Sequence, residues 1–99
     1  MNFMSDFHTK SIDRLMQAVL TLKNAEECYA FFEDICTIKE IQDMSQRLEV
    51  AELLSAGHNY QEVVEKTNVS TATICRVNKC LNYGAGGYKT AISRMEESK

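Results

Sequence analysis

Proline is absent from all 99 residues, and three of the four glycines crowd into Gly84 to Gly87. Apart from that cluster and Gly57, nothing breaks a helical pattern. No alternating strand pattern, internal repeat or low-complexity linker is present. No apolar run approaches the roughly 20 residues of a membrane span. The opening MNFMSDFHTK lacks the apolar segment that follows a basic start in a secretory signal. These absences predict an all-α, soluble, cytoplasmic chain with no membrane partner. Its length suits a single domain over residues 1–99 with a modest core.

The signatures of chemistry are missing as well. Cys28, Cys36, Cys75 and Cys80 fall into pairs eight and five positions apart, which match no C-x-x-C knuckle. They read as small apolar thiols in a reducing compartment. A redox-sensing role for Cys75 or Cys80 stays open because each lies in a locally basic segment. His8 and His58 have no partner at metal-ligand or triad spacing. The run GAGGYKT, Gly84 to Thr90, follows a helical pattern rather than a strand and has Tyr88 where a phosphate loop needs glycine. It is a helix stop and connector. Tyr29, Phe31 and Phe32 fit a core or a dimer contact better than a stacking platform for bases. No enzyme, metal site or cofactor is expected.

Apolar residues make up 44% and charged residues 25%, an ordinary globular balance. The net charge of -3 is the wrong sign for a nucleic-acid binder, but it is unevenly placed. Residues 1–57 hold ten acids and five bases, whereas Ser70 to Met95 hold Arg76, Lys79, Lys89 and Arg94 with no acid.

Apolar residues recur at helical spacing at Ile12, Leu15, Met16, Val19 and Leu22, and again at Ile38, Ile41, Met44 and Leu48, running on into Ala51 and Leu54. Capping boxes mark helix starts at Asn24 with Glu27, Thr37 with Glu40, and Asn59 with Glu62. Together these predict six helices: 9–22, 25–36, 38–56, 60–67, 71–83 and 88–97. In the fifth, Ser70 is the N-cap and N3 is Thr73 rather than Glu. A carboxylate there would repel phosphate, so an acid-free first turn leaves the amides and the positive end of the helix dipole available to a DNA backbone.

Asn59 to Leu81, within an approximate motif of 59–82, reads as a helix-turn-helix. Val64 takes the place where the first helix packs closely on the second, and Asn68 the turn position needing positive φ. Ile74 is the buried aliphatic of the second helix, and Val63, Val69, Val77 and Leu81 complete the seam. Thr71, Ala72, Thr73, Cys75, Arg76 and Lys79 are then expected to face outward. The small residues suit a major groove about 12 Å wide. Arg76 is able to grip guanine or phosphate, and Lys79 to neutralise phosphate.

Arg47, Glu52-Leu53-Leu54, Gly57, Ala72-Thr73-Ile74, Arg76 and Leu81 together resemble the Trp repressor superfamily. STATICRVNKCLNYGAGGY, Ser70 to Tyr88, is similar to its YerC/YecD-type branch. The branch resemblance spans Ser5 to Met95, while that to the Trp repressor proper is confined mainly to residues 31–95. It implies a six-helix fold in which two chains intertwine as a homodimer, presenting two reading heads to a palindromic operator. It also implies that Arg47, Arg76 and Thr73 match corepressor-pocket positions. Val77 stands where the Trp repressor has a glycine lining the indole slot, and Cys80 where it has a serine meeting the ligand amine. A valine in a slot shaped for a flat ring argues against tryptophan. Arg47 is left to bind another small anion, to pair with Glu49 or Glu52, or to contact DNA.

The expectation is therefore a bacterial, homodimeric transcriptional regulator, a repressor, that binds double-stranded DNA. Ser70, Thr71, Ala72, Thr73, Cys75, Arg76, Lys79 and Lys89 are its DNA-binding residues. Arg47, Thr73, Arg76, Val77 and Cys80 line its effector pocket, if it has one. The rival is a protein-interaction module on the same fold without DNA binding, which the acidic balance favours.

Overall fold

The structure is a computed structural model that describes residues 8–98. Met1 to Phe7, most of the segment read for a signal and the start of the resemblance at Ser5, lie outside the described residues. Six helices follow in order: α1 Lys10–Leu20, α2 Ala25–Ile35, α3 Ile38–Ser55, α4 Tyr60–Thr67, α5 Thr71–Tyr83 and α6 Gly87–Glu97. No strand occurs among the described residues, and the all-α expectation holds. No helix among them is long and apolar enough to cross a membrane. The chain divides between Ile41 and Gln42 into two compact units.

In the first unit, Thr9 caps α1 by accepting the Ile12 amide at 3.2 Å. The helix ends at Leu20, earlier than the apolar spacing to Leu22 suggests. There the Thr21 and Leu22 amides both switch to carbonyls three residues back, at 3.1 Å, tightening the last turn. Asn24 accepts the Glu27 amide at 2.9 Å, but the returning Glu27 carboxylate takes the Lys23 amide at 3.0 Å instead of that of Asn24. The expected box is thus half formed: the fully extended Asn24, with φ at -157°, leaves the preceding amide as the one in reach. At Thr37 the box is complete, with its two bonds at 2.8 and 3.1 Å.

Neither α1 nor α2 contains a buried residue. Phe31 and Phe32 meet edge to face at 5.4 Å, yet Leu20, Tyr29 and Ile38 remain 83%, 71% and 75% exposed. Ala25, Cys28, Tyr29, Phe32, Glu33 and Ile41 line an open apolar hollow of about 350 Å³.

The second unit holds the core. Val50 and Ala51 of α3, Val63 of α4, Val69 of the following turn, and Ile74 and Val77 of α5 form one buried cluster. Leu53, Leu54, Val64, Tyr88 and Ile92 pack around it, the last two belonging to α6. Burying each aliphatic side chain contributes roughly 1.5–3 kcal/mol. α4 begins with a complete Asn59–Glu62 box, its bonds at 2.8 and 2.9 Å. His58 Nδ1 lies 3.6 Å from the same Glu62 carboxylate, an ion pair when the imidazole is protonated.

Between α4 and α5 the chain turns at Asn68, whose φ of 59° and ψ of 24° lie in the left-handed region, as the turn required. It is the one non-glycine residue with positive φ among those described. Asn occupies this region with less strain than residues whose Cβ is branched. Asn68→Val is expected to lower stability by about 1–2 kcal/mol, the cost of a left-handed residue. Asn68→Gly should hold or raise stability, and urea unfolding midpoints of the two variants against the parent check both.

Candidate nucleic-acid interface

Ser70 sets the start of α5. Its hydroxyl oxygen accepts the Thr73 amide at 3.2 Å and donates to the Thr73 hydroxyl at 3.1 Å. The first turn carries no acidic residue. The remaining free amides and the positive end of the dipole therefore face solvent with no competing carboxylate on the helix.

The seam fixes which face of α5 is presented. Ile74 and Val77 are 0% and 1% exposed and Leu81 is buried beside them. The opposite ridge, by helical spacing, is Ala72, Arg76, Lys79 and Tyr83, all exposed. Ser70, Thr71 and Cys75 are exposed on the same end or on one flank. Thr73 departs from the expected outward set: it precedes Val77 by four residues, so it stands one turn above a core side chain and is half-buried. Its hydroxyl is already engaged by Ser70. Three consecutive residues sweep most of a helical turn, so Thr71, Ala72 and Thr73 cannot all face one way.

Lys89 is exposed on α6. It follows Tyr88, which packs on the core, so α6 is anchored by the residue next to it. The joint between α5 and α6 depends on Gly84, whose amide donates to the Cys80 carbonyl at 2.8 Å. A Cβ at residue 84 would collide with that oxygen, so the helix ends at a position that only glycine fits. Gly86, with φ at 88°, then opens α6.

The effector positions do not share one environment. Arg47 is half-buried on α3, one turn before Val50 and Ala51 and so toward the core-facing side. Arg76 and Cys80 are exposed, Thr73 is half-buried, and Val77 is a core residue rather than the wall of an open slot. All four cysteines are free, Cys75 and Cys80 exposed and Cys28 and Cys36 half-buried.

Sequence reasoning missed two features of α5. Asn82 donates its amide to the Asn78 carbonyl and side-chain oxygens at 3.0 and 3.1 Å, a polar brace visible in advance only as an i, i+4 pair. Tyr83 closes the outward ridge, and its spacing from Arg76 and Lys79 was the available signal.

A short helix, a turn and a second helix clamped by its aliphatic face, with small and basic residues outward, form the arrangement expected of a helix-turn-helix within an all-α fold. The chain belongs to the Trp repressor family, whose family pattern it matches over residues 10–96. It is 50% identical over 90 residues to the uncharacterised protein YerC of Bacillus subtilis (strain 168), covering 91% of this chain and 86% of that protein. A crystal structure of a TrpR-like protein from Eubacterium eligens ATCC 27750 superposes with a TM-score of 0.88 at 48% identity, over 93% of this chain and 95% of that one. A candidate Trp repressor from Staphylococcus aureus gives 0.89 at 41% identity, over 95% and 94%. The family is regulatory and non-enzymatic.

Loss of the Ser70 cap tests how α5 is seated. Ser70→Ala is expected to cost about 1 kcal/mol, within the usual 0.5–2 for such caps, lowering the midpoint of thermal unfolding by several degrees.

Proposed function

We propose that this chain is a cytoplasmic, homodimeric helix-turn-helix regulator that binds duplex DNA and represses transcription by occluding a promoter. The observation that carries the proposal is the outward ridge of α5. Arg76 and Lys79 stand exposed on it, beside an acid-free and capped helix start, while Ile74 and Val77 hold the opposite face in the core. With its N-terminal end in a major groove, α5 brings Thr71, Ala72 and Cys75 to base edges, and Arg76 to guanine or phosphate. Ser70 and Thr73 hold the first turn against the backbone, and Lys79 and Lys89 neutralise phosphate.

Dimerisation is supported by α1 and α2, which bury no residue fully and leave Met16, Leu20, Tyr29 and Ile35 exposed within one chain. Two-fold symmetry then requires a palindromic operator with half-sites about one DNA turn apart. The core position of Val77 argues against tryptophan as corepressor. An effector using Arg47, Thr73, Arg76 and Cys80 would be a smaller anion.

The same uncovered apolar surface, with the net charge of -3, favours a second reading: a protein-interaction module that has left DNA behind. Salt separates the two, since binding through several phosphates falls steeply with ionic strength and helix-to-helix docking need not.

Selection of duplexes from a random library at two salt concentrations is expected to enrich a palindrome whose retention is salt-sensitive. Absence of enrichment at low salt would favour the interaction module. On the selected operator, Arg76→Ala should cost about 1–3 kcal/mol and relax one base position if it reads guanine. An equal loss on all sequences, with a shallower salt slope, would make Arg76 a phosphate contact.

A further inference from the structure

We propose that Tyr83 is a phosphate-positioning residue of the α5 reading helix, its phenol hydroxyl donating a hydrogen bond to the DNA backbone at the edge of the groove. The inference rests on the DNA-binding reading above and deepens it. Tyr83 is 84% exposed and stands four residues after Lys79 and seven after Arg76, in line with both on the ridge opposite the buried seam. A ring on that ridge contributes nothing to the core.

Position along the helix gives the ridge two ends with different tasks. Tyr83 lies about 16 Å along the axis from Ala72 at 1.5 Å per residue. The major groove is only about 8.5 Å deep. With the N-terminal end of α5 inserted, Ala72 reaches the base edges while the Tyr83 backbone stands beyond the rim, from which a side chain leaning toward the helix N-terminus returns toward the sugar-phosphate rail. Tyr83 is the last residue of α5, and Gly84 caps the helix with its amide on the Cys80 carbonyl.

Charge explains why a neutral donor suits this end. The last turn of α5 holds no basic residue, and its carbonyls form the negative end of the dipole, which repels phosphate. A helical side chain leans toward the N-terminus, so the phenol O–H is carried back from those carbonyls, and tyrosine is among the side chains that contact DNA backbone as donors.

The test measures affinity of the full chain, Tyr83→Phe and Tyr83→Ala for the selected operator and for unrelated duplex, across a salt series, with oligomeric state and thermal unfolding followed in parallel. Tyr83→Phe is expected to bind both DNAs about tenfold more weakly, the scale of one hydrogen bond to a charged acceptor. The salt slope should equal that of the parent, since no cation is lost. Unaltered binding by Tyr83→Phe overturns the inference alone, as does a loss confined to Tyr83→Ala, which would assign the effect to the ring. A change in oligomeric state on Tyr83→Phe overturns it in favour of a contact between chains. Failure of the parent chain to bind any duplex overturns the DNA-binding reading and this inference with it.

Discussion

Everything in the second unit depends on the contact between α5 and the buried faces of α3 and α4. Ile74 and Val77 meet Val50, Ala51 and Val63 with almost no solvent-accessible surface left. That contact sets the rotation of α5 about its own axis, because a helix pinned through residues three apart has one face committed. Once Ile74 and Val77 point inward, Arg76 and Lys79 have nowhere to go but out. The packing energy and the presentation of the ridge are therefore the same fact seen from opposite sides of one helix. Asn68 completes the constraint by turning the chain in the left-handed region, so that α5 starts where its apolar face meets the cluster.

Electrostatics follows the same division. Acidic residues dominate the first 57 positions, and the stretch from Ser70 to Met95 has none. Bases are few, so the net charge conceals the contrast. The charged side chains of α5, Arg76 and Lys79, are both basic, so the sign of the charge on this helix is opposite to that of the chain as a whole.

Much of the fold was legible because it rests on short-range rules. Absence of proline, apolar spacing and polar caps located all six helices, and α4 and α5 have the expected bounds. The rules failed where geometry beyond the local pattern decides. The Asn24 box is half formed because backbone angles, not residue types, choose which amide Glu27 meets. α1 stops early through a change of hydrogen-bond register invisible in hydropathy. On α5, the exposure of Arg76 and Lys79 was legible from charge and spacing. Tyr83 was not, since an aromatic residue carries no sign of its own and only the helix phase reveals its exposure. Thr73 was read as outward for the opposite reason: its polarity suggested solvent, while its place one turn above Val77 brings it toward the core. The division between Ile41 and Gln42 left no mark, because the apolar repeat of α3 runs through it unbroken.

The incompletely covered apolar faces of α1 and α2 carry a consequence of mass action. A helix with no fully buried side chain gains stability from anything that covers its apolar face, and that gain grows with the concentration of the covering partner. Were a second copy to cover them, the N-terminal helices would loosen on dilution while the cluster around Ile74 held. Abundance would then join sequence in setting how firmly these two helices are held.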